Sequence, residues 1–120
     1  MNTSLSTLLI YAKDMQRTAR FYAENFGFAT NYEVVDGLIE LVAGDDGAGI
    51  LIHQAAKSLK FGSAVLKLSF SVTDVDQFVA TATAAGLKFG AIHRANGYAF
   101  ANTKDPDGNS ISVSSRKYRA

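Results

Sequence analysis

The chain says the same thing twice. Asp14-Met15-Gln16-Arg17 opens one helical stretch, and Asp74-Val75-Asp76-Gln77 opens another sixty residues later. Each follows a run of alternating residues, Leu8, Ile10 and Ala12 in the first case and Leu68, Phe70 and Val72 in the second. Alternation of period two marks a strand with one buried face. An Asp at the end of such a strand is a good helix N-cap, because its carboxylate accepts an otherwise orphaned N–H of the first turn. The helices carry matching apolar stripes, Met15, Ala19, Tyr22 and Phe26 against Val75, Phe78, Val79, Ala82 and Ala85. Spacings of three and four put each stripe on one face, the face that packs on a sheet. Gly27 and Gly86 end the helices, since glycine enters the left-handed conformation without steric cost.

Three strand-like runs follow each helix. The pattern predicts strands over 28–35, 38–43 and 49–54 in the first half, with a hairpin turn at Asp36-Gly37, and over 87–93, 97–103 and 109–115 in the second. Gly44-Asp45-Asp46-Gly47 and Asp105-Pro106-Asp107-Gly108 are equivalent turns before the two last strands. The expected fold class is therefore α+β: two tandem βαβββ modules, 1–54 and 65–116, joined by the linker 55–64 within one domain of 120 residues. One main helix per module covers the outer face of a curved mixed sheet. The bare inner faces are expected to enclose a cleft, and a concave, partly apolar space of that kind is a ligand site by default. Eight Phe and five Tyr supply enough bulk for a core.

Other classes of function fall away on charge and composition. A net charge of +1 gives no bulk field for nucleic acid or an anionic membrane, and the Arg116-Lys117-Tyr118-Arg119 cluster reads as a solvated tail. The absence of cysteine removes thiol nucleophiles, thiolate metal sites and disulfides together. The N-terminus has no basic, apolar secretion pattern, and no stretch reaches the roughly 20 apolar residues of a membrane span. The expectation is a cytoplasmic protein with neither nucleic acid nor membrane as partner.

Phe21-Tyr22 with Phe26-Gly27-Phe28, followed by Asp105-Pro106-Asp107-Gly108-Asn109 before the last strand, resembles the vicinal oxygen chelate superfamily. Its members include glyoxalase I, extradiol dioxygenases, fosfomycin-resistance enzymes and bleomycin-resistance proteins. The resemblance implies a divalent metal held by His, Glu or Gln side chains on inner strand faces, acting as a Lewis acid. It places the four ligand positions at Thr7, Leu51, Lys67 and Ser112. Leu has no donor atom, and Lys brings a positive charge to the metal's place. Glu40 and His53 offer two further donors at most. The expectation is no metal, no other cofactor, and none of the superfamily's usual metal chemistry.

Strand parity then sets the cleft lining. Thr7, Leu9 and Tyr11 point inward from the first strand, Leu51 and His53 from the fourth, Lys67, Ser69 and Ser71 from the fifth, and Ser110, Ser112 and Ser114 from the last. One wall is apolar and aromatic, and the other carries hydroxyls and an ammonium. The ligand expected there is a small organic molecule with an apolar or aromatic part and an anionic or hydroxylated group. His93 lies at a strand–loop junction beside Arg94 and has no assigned chemistry. The leading reading is a metal-free, drug-sequestering type of binding protein, a homodimer like the members it resembles. One alternative is a metal-independent lyase or isomerase using Lys67 with His53 or Tyr11. The other is a structural module that binds nothing.

Overall fold

The computed structural model describes residues 2, 5–62 and 64–120. The chain divides into two compact units, the first running to Lys60 and the second beginning at Phe61. The architecture is α+β, with a helix and a mixed sheet in each unit.

In the first unit, β1 (Thr7–Ala12) leads into α1 (Met15–Phe26), then β2 (Leu38–Leu41) and β3 (Gly49–Gln54). The strand order is β1-β3-β2, with β1 parallel and β2 antiparallel to β3. Asp14 caps α1 by accepting from the Arg17 N–H at 3.1 Å. Gly27, at φ 76°, closes it with a bond from its own N–H to the Ala23 carbonyl. Thr18, Ala19 and Tyr22 are buried in the helix, and Ile39, Leu41, Ile50 and Ile52 on the sheet below. The Tyr22 ring lies 5.1 Å from Phe21, 6.2 Å from Phe26 and 6.3 Å from Phe28, so the motif that carried the resemblance is one aromatic cluster.

The run 28–35 does not form the predicted strand. It touches the sheet only through single bridges, Ala29 to Val42 and Val35 to Leu38. Local polar chemistry diverts the chain between them. The Thr30 hydroxyl accepts from the Tyr32 N–H at 3.1 Å, and the Asn31 side chain accepts from the Glu33 N–H at 3.0 Å. Tyr32 consequently sits at φ 63°, and its carbonyl is held by the Gln16 amide at 2.9 Å. Short polar side chains that bond their own backbone compete with a sheet ladder, and here they win.

The second unit contains β4 (Lys67–Ser71), α2 (Val75–Ala84), β5 (His93–Ala95), β6 (Tyr98–Lys104), β7 (Ser110–Ser114) and a short 3₁₀ turn over Arg116–Tyr118. The strand order is β4-β7-β6-β5, with β4 parallel to β7 and the other pairs antiparallel. Asp74 caps α2 as Asp14 caps α1, accepting from the Gln77 N–H at 3.0 Å. The helix ends in paired bonds from Gly86 to the Thr83 carbonyl and from Leu87 to the Ala82 carbonyl. Ala85 is thereby the capping residue and lies exposed instead of on the core stripe. Strand β5 begins at His93, so most of the predicted strand 87–93 is irregular.

Arg94 of β5 reaches Asp76 in the first turn of α2 with a two-pronged ion pair, 2.7 and 2.9 Å. The Arg94 hydrogen bond holds the Asp76 carboxyl below its ordinary value of 3.8. Because the folded value is depressed, the pair's contribution is complete above the ordinary carboxylate range and fades as pH falls through the lowered value. Arg94→Ala is expected to move the Asp76 carboxyl titration, followed by carbon NMR, upward to the ordinary range. The neutral-pH melting temperature should barely change, because both side chains are more than half exposed.

Candidate functional site

In the first unit, the face of the sheet turned away from α1 carries Thr7, Leu9 and Tyr11 of β1, Leu51 and His53 of β3, and Leu38 and Glu40 of β2. Register aligns them in rows. Leu9, Leu51 and Glu40 form one, and Tyr11, His53 and Leu38 the next. Tyr11 and His53 meet edge to face with ring centroids 5.4 Å apart, and His53 Nδ1 lies 2.8 Å from the Gln54 carbonyl oxygen. Thr7 is opposite Gly49 and is not drawn into either row. Leu9 and Tyr11 remain about half exposed, at 47% and 49%.

The diverted segment 31–36 stands beside this face and flanks a shallow, open hollow of about 330 Å³. Val35, Leu38 and Leu51 give it apolar surface, Glu33, Asp36 and Glu40 give it carboxylates, and Asn31 completes the lining. Of these residues sequence reasoning had placed Leu51 in the cleft lining and had named Glu40 as a possible donor. Leu38 and Glu40 project from β2, while Asn31, Glu33, Val35 and Asp36 depend on the turn at Tyr32, whose signal in the sequence is the Thr30-Asn31 pair.

In the second unit, the face away from the buried Ala99, Ala101, Ile111 and Val113 carries the hydroxyl row. Ser69 pairs with Ser112, whose hydroxyl donates to the Ser69 oxygen at 3.0 Å. Lys67 pairs with Ser110 on β7, and its ammonium donates to the Asn102 side chain on β6 at 3.0 Å. Ser71 pairs with Ser114, whose hydroxyl accepts from the Arg116 N–H at 3.1 Å at the start of the 3₁₀ turn. Phe100 follows in the same row as Ser114 and stacks on His93, with centroids 5.0 Å apart and planes 25° apart. Asn102 was missed by sequence reasoning, although it shares the parity of Phe100. The signal needed was the β6–β7 register, which aligns Asn102 with Ser112.

The four positions implied by the resemblance do not make a metal site. Leu51 offers no donor, Lys67 is an ammonium already bonded to Asn102, and the Ser112 hydroxyl is engaged with Ser69. Among the described residues no group of three or more His, Asp or Glu side chains is arranged to hold a metal ion. The donor chemistry therefore does not fit the superfamily's divalent cation. None of the described helices is long and apolar enough to cross a membrane.

Two mixed sheets, each opened by a strand and a capped helix and each bearing a polar or partly apolar outward row, define a glyoxalase-like scaffold. The chain belongs to the Glyoxalase/Bleomycin resistance protein/Dioxygenase superfamily, whose family model matches residues 4–113. No curated protein matches it. Among solved structures it is similar to UcmS2, with a TM-score of 0.79, 16% identity, and coverage of 96% of this chain and 99% of that one. It is also similar to lactoylglutathione lyase from Agrobacterium tumefaciens, with a TM-score of 0.73, 21% identity and coverage of 95% and 94%. A third is TnmS3, an antibiotic binding protein from Streptomyces sp. CB03234, with a TM-score of 0.73, 22% identity and coverage of 93% and 94%. At these identities the likeness is one of fold.

Proposed function

We propose that this protein is a metal-free binder of a small organic molecule, and that the Lys67 face of the second unit receives the ligand's anionic or hydroxylated group. The observation that carries the reading is the Lys67–Asn102 bond. It holds an exposed ammonium that bonds one side chain among the described residues, beside the half-buried Ser69–Ser112 hydroxyl pair. A carboxylate arriving there gains a charge-assisted bond without the cost of ordering a free lysine side chain. Phe100, in the row beyond, supplies a ring for the ligand's apolar part. TnmS3 binds an antibiotic on the same fold, which supports binding without requiring catalysis. The reading takes the chain to be a cytoplasmic homodimer, and light scattering on the purified protein checks the oligomeric state.

The test is calorimetry with 3-phenylpropanoate on the full chain. Lys67→Ala is expected to weaken binding about tenfold, the loss of one hydrogen bond to a charged group. Asn102→Ala is expected to weaken it less, since the ammonium stays but is no longer positioned. Equal affinity in the parent and Lys67→Ala sinks the role of this face. Stoichiometric divalent metal in the purified protein would sink the metal-free part.

A further inference from the structure

We propose that Asn96, at the tip of the β5–β6 hairpin, is a site of spontaneous modification: its side-chain amide is lost with water as the only co-reactant, leaving a carboxylate and, in one product, a longer main chain. The chemistry belongs to the pair Asn96-Gly97. The Gly97 main-chain nitrogen attacks Asn96 Cγ, the bond from Cγ to the side-chain nitrogen breaks, and ammonia leaves carrying the proton that Gly97 gives up. The cyclic imide so formed takes up water. Opening at one carbonyl gives aspartate. Opening at the other routes the main chain through the side-chain carbon and gives isoaspartate. A residue with a Cβ after the asparagine crowds the attacking nitrogen, and glycine does not.

The structure singles out this asparagine. Asn96 and Gly97 are exposed and form the turn between the paired residues Ala95 and Tyr98. Among the described residues neither the Asn96 side chain nor the Gly97 N–H has a hydrogen-bond partner, so nothing holds the two reacting groups apart. The others are held. The Asn25 amide donates to the Phe21 carbonyl, and Asn31 accepts from the Glu33 N–H. Asn102 accepts from the Lys67 ammonium, and the Asn109 amide donates to Asp105. Those four precede Phe26, Tyr32, Thr103 and Ser110, and Asn2 precedes Thr3, so none of them has a glycine behind it.

The place of the turn gives the change its consequence. β5 has three residues and pairs only with β6. A tight hairpin fixes register by its loop length, so isoaspartate at the turn is incompatible with Ala95 facing Tyr98. The next pair along is His93 with Phe100, whose rings stack. Modification therefore releases β5 and uncovers one side of the Phe100 ring. Neither the site nor its chemistry depends on the Lys67 reading.

The test is peptide mapping by mass spectrometry of the full chain after ageing in mildly alkaline heavy-oxygen water. The peptide containing Asn96 is expected to exchange NH₂ for OH, to carry the heavy oxygen, and to separate into aspartate and isoaspartate forms. Its rate should exceed that of Asn25, Asn31, Asn102 or Asn109 by about tenfold or more, since each of those must first give up a side-chain hydrogen bond. Amide exchange at Phe100 should rise in the aged parent while β1 and β3 stay as they were. Aged Asn96→Gln should show no such rise, and fresh Asn96→Asp, which adds the charge without lengthening the chain, should show none either. An unaltered Asn96 peptide, or another asparagine reacting as fast, would overturn the site. Unchanged exchange at Phe100 in the aged parent would overturn the release of β5.

Discussion

Tyr22→Ala should lower the unfolding free energy by about 4 kcal/mol, the scale set by removing a large aromatic from a packed core. The ring is fully buried and is the largest side chain to be so among the described residues. It lies within 6.3 Å, centroid to centroid, of Phe21, Phe26 and Phe28. Three rings cannot all move into the space it leaves, because Phe21 and Phe26 are fixed to the same helix and Phe28 follows immediately after its Gly27 cap. Tyr22→Phe separates ring from hydroxyl. No buried side-chain oxygen or nitrogen among the described residues lacks a hydrogen-bond partner, so removing the hydroxyl strands that partner at a cost of about 1 kcal/mol. Urea unfolding of the two variants measures both figures. A loss under about 1 kcal/mol for Tyr22→Ala would mean that the cluster collapses around the gap and that Tyr22 does not pin α1 to its sheet.

The aromatic cluster was legible from the sequence because its cause is local. Helical spacing alone puts Tyr22 and Phe26 on one face, and an Asp before each helix announces a cap by its own side-chain chemistry. Alternation was legible for the same reason. Burial alternates with the period of two that the sequence shows along β1, β4 and the first four residues of β3. What counting could not supply was register, a relation between segments far apart in the chain. Lys67 and Asn102 are thirty-five residues apart, and their bond exists only because β7 lies between β4 and β6 with Ser110 beside Lys67 and Ser112 beside Asn102. The hollow escaped for a different reason. The repeat suggested that 28–35 copies the strand pattern of the other half, yet Thr30 and Asn31 bond the backbone two residues ahead of them. That detour takes the chain out of the sheet, and the same detour builds the wall holding Glu33 and Asp36. The predicted strand is largely irregular in both halves, and in the first half the detour leaves a hollow beside the sheet.

The second large effect is expected at the turn Asp105-Pro106-Asp107-Gly108-Asn109. Asp105→Ala should cost about 3 kcal/mol, because one buried carboxylate organises the whole turn. Its Oδ1 accepts from the Asp107 and Asn109 backbone N–H groups, each at 2.9 Å, and its Oδ2 accepts from the Asn109 side-chain amide at 2.7 Å. Asp105 is only 5% exposed, so the donors left behind by alanine have little water to turn to. Two backbone bonds also close the turn, from Gly108 to the Asp105 carbonyl and from Asp105 to the Asn109 carbonyl. Asp105→Asn should fall between parent and alanine. Its amide oxygen can still serve the two backbone donors, while its NH₂ confronts the Asn109 amide. Asp46→Ala, in the equivalent turn of the first unit, is the control: that side chain is exposed, and its loss should stay within about 0.5 kcal/mol. Thermal unfolding orders the three variants. The turn also delivers β7, whose first residue Ser110 pairs with both Lys104 and Lys67. Asp105→Ala should therefore speed amide exchange at Ser110 before it affects Val113 at the strand's far end. Uniform acceleration along β7 would instead mean that the turn and the strand open as one unit, and that Asp105 holds the Lys67 face only through global stability.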